Sequence, residues 1–259
     1  MSGRTVLAFD EREYTDNDLA AAADGLAAAL ARRGVRQGQR VALMSSNRPE
    51  FVTAFQAIWR LGAAVVLLSP AWKHDEVAHA LEVTGAQHAV GDHPVLAGLM
   101  DMLSLDDPVP PSAQSFDTHD PAGEALLVFS SGTTGLPKAV RHTHASFAVA
   151  VRHWRDALGL GPDDRIQVTT PPSHILGILN IVTALECGSW VRLHRRFDLD
   201  SMLRHIESDR ITIEMAVAPI ALALAQHPNL ESYDLSTLPT SPVRYHPPSK
   251  AAAVAESGR

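Results

Sequence analysis

The sequence is short of several residue types, and each shortage narrows what the protein can be. There is one cysteine, Cys187, in 259 residues. That excludes an internal disulfide and any C-x-x-C metal knuckle, and it suits a reducing, cytoplasmic compartment. Lysine is nearly missing: 3 of the 22 basic residues are Lys, which leaves 22 − 3 = 19 Arg. No basic run occurs and the formal charge is 22 − 29 = −7, so neither nucleic acid nor an anionic membrane surface is an expected partner. Long apolar runs are lacking too. The most apolar stretch, residues 175–191, carries Asn180 and Glu186 and falls short of the roughly 20 apolar residues that span a membrane. The N-terminus passes from a short apolar run straight to charges and does not read as a secretory signal.

What remains is an ordinary soluble composition, 46% apolar and 20% charged, enough to bury a core without staples. Short apolar runs alternate with longer amphipathic ones. Residues 4–9 and 12–14 read as a hairpin turning at Asp10-Glu11. Thr15 with Asp18 forms a capping-box-like start to an Ala-rich helix that reaches Arg33 and stops at Gly34. Strand 40–45 precedes a helix opened by Pro49, in which Phe51, Phe55, Ile58 and Trp59 share a face. Residues 63–68 read as a strand buried on both faces. A helix near 74–83, a strand near 87–90 and a helix near 93–102 follow. After an acidic, Pro-rich stretch come strands at 124–129, 139–142, 165–169, 189–194 and 211–217. Helices are expected near 146–158, 174–186, 198–209 and 219–226. This alternation predicts an α/β protein with mainly parallel sheets flanked by helices. The expected organisation is a first α/β subdomain at 1–103, an exposed linker at 104–123, a second α/β subdomain at 124–238 and an aberrant Pro-rich tail at 239–259.

The informative segment is 126–144, LLVFSSGTTGLPKAVRHTH. An apolar strand runs into Ser130, Ser131, Gly132, Thr133, Thr134 and Gly135, then Leu136, Pro137 and Lys138. Four hydroxyls and two glycines cannot pack a core. They can present O–H and backbone N–H donors to a phosphate, because glycine allows close backbone approach. In a chain so poor in lysine, Lys138 at the end of this loop carries unusual information. A Walker loop is excluded. Pro137 stands where its second glycine belongs, Ala139 replaces the metal-binding Ser/Thr, and a strand rather than a helix follows.

As it stands, from Phe129 through Val140 to His142-Thr143-His144, this segment resembles the signature of the adenylate-forming superfamily: acyl-CoA synthetases, luciferases and peptide-synthetase adenylation domains. The departure is Ala139 where the family has glycine. Residues 34–70 and 170–178 are similar to the family as well, and the resemblance runs to about Leu238. It implies the partial N-terminal domain of an acyl-CoA synthetase-like fold. It also implies ATP-dependent activation of a carboxylic acid through an acyl-adenylate, with ATP, Mg²⁺ and coenzyme A as the intact enzyme's cofactors and a carrier protein as an alternative thiol. Ser130, Ser131, Gly132, Thr133, Thr134, Gly135 and Lys138 would bind the phosphates. His174 would lie near the substrate carboxylate or the mouth of the acyl pocket. No acidic residue follows an aromatic there, as it does in amino-acid-activating relatives, so a fatty or aryl acid is expected.

Other candidates read blandly. His142 and His144 could share a strand face, but no further ligands stand nearby and no metal site is expected. Cys187 reads as a small buried residue, and Arg192, Arg195 and Arg196 as a solvated strand end. Residues 234–238 match the family's lead-in to a further strand, yet four prolines between 239 and 248 preclude a central strand there. This pattern resembles a local reading-frame disturbance followed by truncation. It leaves three readings: an acyl-CoA ligase by descent whose 259 residues are inactive alone, a non-enzymatic remnant or interaction module of a disrupted gene, and an adenylation domain loading a carrier protein.

Overall fold

The computed structural model describes residues 3–110, 112, 114, 116, 120–130 and 136–238. The chain opens with a hairpin, β1 (Thr5–Phe9) and β2 (Arg12–Thr15), then α1 (Asp16–Arg32). Next come β3 (Arg40–Met44), α2 (Pro49–Arg60), β4 (Ala64–Leu67), α3 (His74–Thr84), β5 (His88–Gly91), α4 (Pro94–Leu99) and β6 (Met102–Ser104). A second hairpin, β7 (Glu124–Ser130) and β8 (Lys138–Thr143), leads to α5 (His144–Leu158), β9 (Arg165–Val168), α6 (Ile175–Cys187) and β10 (Trp190–Leu193). The described fold ends with α7 (Leu199–Ser208), β11 (Ile213–Glu214) and α8 (Ala218–Ala225).

Local chemistry sets the boundaries. The Thr15 hydroxyl accepts from the Asp18 N–H at 3.1 Å while the Asp18 carboxylate accepts from the Thr15 N–H at 2.9 Å, a reciprocal cap on α1. Pro49 stands in the first turn of α2, where its missing N–H costs nothing. Asp10 takes φ 49° at the first hairpin turn, a left-handed conformation that Asp tolerates better than most residues.

The strands form two sheets. One has the order β6-β5-β3-β4-β7-β8 and is parallel except for the β7–β8 hairpin. The other has the order β11-β9-β10-β1-β2 and is parallel except for β1–β2. Strands from before and after residues 104–123 share both sheets: β1 pairs with β10, and β4 pairs with β7. Alternation along the strands sends side chains to two layers each. Val41, Leu43, Val65 and Leu67 pack toward α1, α2, α5 and α6, whereas Ala42, Met44, Val66 and Leu68 pack toward α3 and α4. In the second sheet Leu7, Ile166, Val168 and Val191 meet α1, α2 and α6, and the opposite face meets α7. The result is five layers, with one helical layer shared between two sheets. No helix among the described residues is long and apolar enough to cross a membrane.

Three expectations need correction. The helix expected near 93–102 ends at Leu99, and Met102–Ser104 instead extends the sheet as β6 beside β5. The strand expected at 211–217 shrinks to Ile213–Glu214, because it pairs only with β9, which itself stops at Val168. The stretch 104–123 is not simply exposed. Leu105 is buried, Val109 and Phe116 pack on the core, and a Cβ on Gly25 of α1 would come 2.8 Å from the Pro110 carbonyl oxygen.

Candidate active site

The hydroxyl-rich segment is the tip of the β7–β8 hairpin. Ser130 is the last residue of β7, Lys138 is the first of β8, and the two are directly paired. The tip itself, Ser131, Gly132, Thr133, Thr134 and Gly135, lies outside the described residues. Its two stems are held from different sides. β7 is locked into the sheet by β4. The C-terminal stem is held by α3, whose His79 Nε2 lies 3.2 Å from the Pro137 carbonyl oxygen. Lys138 is exposed, and its side chain shares a face of β8 with Val140 and His142 by the period of two.

Val140 and His142 line a cleft of about 820 Å³ where β4, β7, β8 and the segment after β9 come together. Ser130 and Pro137 border it, so both described stems of the hairpin reach its rim. Trp72 and Phe129 form one wall and meet edge to face, with ring centroids 5.0 Å apart. Thr170, Ser173, His174 and Leu176 form the opposite wall. Among the described residues Glu76 is the one acidic residue lining the cleft, and its carboxylate accepts from the Lys73 N–H at 2.9 Å, closing the first turn of α3.

The wall that carries His174 is built by backbone closeness. Gly177 sits on the Pro171 carbonyl group, and any Cβ there would clash with that oxygen. His174 is exposed and caps α6: its Nδ1 accepts from the Leu176 N–H at 3.3 Å. In that tautomer Nε2 carries the hydrogen and is a donor. Across the same helix the Trp154 indole N–H donates to Asn180 Oδ1 at 2.7 Å, tying α5 to α6.

The structure thus brings Ser130, Lys138 and His174 to one region, the first and last as cleft residues and Lys138 on the cleft side of β8. His142 belongs to it as well, whereas His144 begins α5 and is buried edge-on against Trp59 at 5.0 Å. The chain turns from strand to helix between them, so the two rings part. Among the described residues no group of three or more His, Cys, Asp or Glu side chains is arranged to hold a metal ion. Cys187 is half-buried at the end of α6, and burial pushes its thiol up. Arg192 is not solvated: it is buried and pairs with Asp209 at 2.7 Å, while Arg195 pairs with Asp10 at 2.9 Å. Trp72, Glu76 and Thr170 escaped sequence reasoning because each lies far along the chain from the loop. Their one shared signal is a position just after, or one turn beyond, the C-terminal end of a parallel strand.

The family model for AMP-binding enzymes matches residues 1–252. The chain is similar to 4-coumarate–CoA ligase 1 of Oryza sativa subsp. japonica, with 32% identity over 246 residues, 82% of this chain and 44% of that protein. It is also similar to 4-coumarate–CoA ligase 3 of Arabidopsis thaliana, with 29% identity over 253 residues, 88% of this chain and 45% of that protein. The chain spans less than half the length of these relatives. Among solved structures, the inhibitor-bound N-terminal domain of FACL13 from Mycobacterium tuberculosis shares the fold, with TM-score 0.82 and 22% identity over 90% of this chain and 64% of that one. O-succinylbenzoate coenzyme A synthetase from Bacillus subtilis, in complex with AMP, superposes with TM-score 0.80 and 26% identity over 89% of this chain and 62% of that one. A family match over nearly all of the chain, with this fold, means that the protein belongs to the AMP-binding, adenylate-forming enzymes.

Proposed function

We propose that these residues form the phosphate-binding and acyl-binding part of an ATP-dependent ligase for an apolar carboxylic acid. The observation that supports the reading is that the paired stem residues Ser130 and Lys138 flank the Ser/Thr/Gly sequence, and that Ser130 and Pro137 border an aromatic- and aliphatic-walled cleft. In this reading a carboxylate oxygen attacks the α-phosphorus of ATP. An O–P bond forms, the bond to pyrophosphate breaks, and an acyl-adenylate results. A thiol, that of coenzyme A, then displaces AMP. Ser130, Ser131, Gly132, Thr133, Thr134, Gly135 and Lys138 hold the leaving β,γ-phosphates, where negative charge grows. The His174 Nε2–H is a donor for the substrate carboxylate. Mg²⁺ enters with the nucleotide and offsets phosphate charge.

A fatty or aryl acid fits the cleft better than an amino acid. Its one acidic lining residue, Glu76, is already engaged by the Lys73 N–H and is poorly placed to pair a substrate ammonium. Relatives named as 4-coumarate–CoA ligases support an aryl acid and coenzyme A as the substrate pair.

The test is calorimetric titration of residues 1–259 with ATP and with pyrophosphate. Lys138→Ala should weaken binding roughly tenfold or more, the size of a lost charge-assisted contact. Unchanged affinity would remove the hairpin from the phosphate site. Relatives named as ligases are more than twice as long, so residues 1–259 alone are expected to form no acyl-CoA. Its detection by mass spectrometry would overturn that expectation, and substituting a carrier protein for coenzyme A tests the acceptor.

A further inference from the structure

Helices α2 and α6 lie side by side in the shared layer without fully interdigitating. Each presents an i, i+3, i+4, i+7 face to the other: Val52, Phe55, Gln56 and Trp59 on α2, and Ile178, Ile181, Val182 and Leu185 on α6. Between them remains a groove of about 260 Å³. That is just under the usual range of about 300–1,000 Å³ for drug-sized ligands, and it has room for one ring and a short chain. The groove is separate from the cleft. The two share no lining residue among those described.

Two polar side chains interrupt the apolar lining: Gln56, whose amide has one acceptor oxygen and a donor nitrogen, and Glu186, an acceptor. Gln56 Oε1 is enclosed and has no hydrogen-bond partner among the described residues, a state that buried polar atoms rarely tolerate. Glu186, one helical turn beyond Val182, stands at the solvent end. Desolvation against the groove raises its carboxyl, and Arg155, which pulls the other way, forms its ion pair with Asp156 at 2.8 Å. Among the described residues no cationic side chain lines the groove. Its aromatic wall is Phe55 and Trp59, with centroids 4.4 Å apart. The indole N–H is already given to the Ala125 carbonyl oxygen at 2.8 Å, so Trp59 offers ring surface and not a donor. A negative charge at the mouth and aromatic faces complement a cation with an apolar body.

We propose that the α2–α6 groove binds a small hydrophobic amine in its ammonium form, with its ring against Phe55 and Trp59 and its charge held by Glu186, independently of the carboxylate and nucleotide cleft. The probe is phenethylamine, titrated into residues 1–259 at neutral pH by calorimetry, with the uncharged 2-phenylethanol and the anionic phenylacetate as comparators. Phenethylamine should bind at least about tenfold more tightly than either, and Glu186→Gln, a change at an exposed position that leaves packing intact, should erase that preference. Ile181→Phe should fill the groove and abolish binding. Should that overpacked variant fail to fold, Gln56→Leu should weaken the amine several-fold. Equal affinity for amine and alcohol, unaltered amine affinity in Glu186→Gln, or no binding by about 10 mM would each overturn the proposal.

Discussion

The outer faces of the two sheets have the same architecture and opposite chemistry. In the six-stranded sheet, Ala42, Met44, Val66, Leu68 and Ala89 point toward α3 and α4 and make an apolar patch, with Arg40 at its margin reaching the Thr84 carbonyl oxygen. In the five-stranded sheet, the corresponding face toward α7 carries Gln167, Arg192 and Glu214 on adjacent strands, in register. His194 continues the row, with its Nε2 2.9 Å from Gln167 Oε1 and its ring edge-on to His205 at 5.1 Å. Arg192 is compensated by Asp209, but both carboxyl oxygens of Glu214 are enclosed with no cation beside them among the described residues, and the neighbouring Gln167 side chain offsets only part of the burial. Burial therefore pushes Glu214 up to about 8 and His194 down to about 4. A dry face keeps its stability at any pH, whereas a face that buries titratable groups ties its stability to protons.

Glu214→Gln gives the largest test of that contrast. The folded state holds a proton on Glu214 that the unfolded chain, with the ordinary value of 4.5, releases. This contribution is fully present below about pH 4.5 and lost as pH rises to about 8, amounting to as much as about 5 kcal/mol. His194 acts in the opposite direction: its contribution is present above about 6.5 and lost as pH falls toward 4. Urea unfolding from pH 5 to 9 should show the wild type level to about 6.5, where the two groups offset each other, and weakening from there to about 8, whereas the Gln variant should gain up to about 6.5 and hold level above it. Parallel curves for the two proteins would mean that Glu214 is solvated in solution.

Met44→Ala probes the dry face. Met44 is fully buried, so its truncation should cost about 2–5 kcal/mol. The loss should be equal at pH 5 and pH 9, and a pH-dependent loss would show that the two faces are coupled. The smallest effect is expected at the N-terminal edge of the six-stranded sheet. There the Arg40 guanidinium grips Glu124 with two contacts of 2.7 and 2.8 Å and holds its carboxyl below the usual range. Arg40→Gln should cost about 1 kcal/mol at neutral pH, since the pair is partly solvated. That increment should vanish as pH falls through the lowered Glu124 value, which chemical denaturation near pH 3 would reveal.

Much of this molecule is legible in the order of its residues, wherever the determinant is local. The Thr15–Asp18 cap, the entry of α2 at Pro49, the two hairpins and the apolar run of β4 all follow from neighbours within a few positions. The proposed phosphate-binding role of Ser130, Lys138 and the residues between them likewise rests on local sequence, on hydroxyls, glycines and a rare lysine in succession. His174 was legible as a candidate by its setting, and the fold adds that it caps α6 on the cleft wall. The polar face under α7 was not legible. Gln167, Arg192 and Glu214 each sit in an otherwise apolar strand, and a single polar residue in a strand ordinarily faces water.

The sequence by itself determined most of the element types, the α/β alternation and the strand–loop–strand order around residues 130–138, because those depend on periodicity, capping and turn chemistry within short windows. Only the tertiary structure decided that β1 leaves its neighbours in the chain to pair with β10, that Trp72 and Thr170 meet across one cleft, that α2 and α6 leave a groove around Gln56, and that α7 closes over Glu214. These are contacts between residues separated by tens to nearly two hundred positions. Their outcome depends on which surfaces exclude water from one another once the whole chain is packed, a property that no window of the sequence contains.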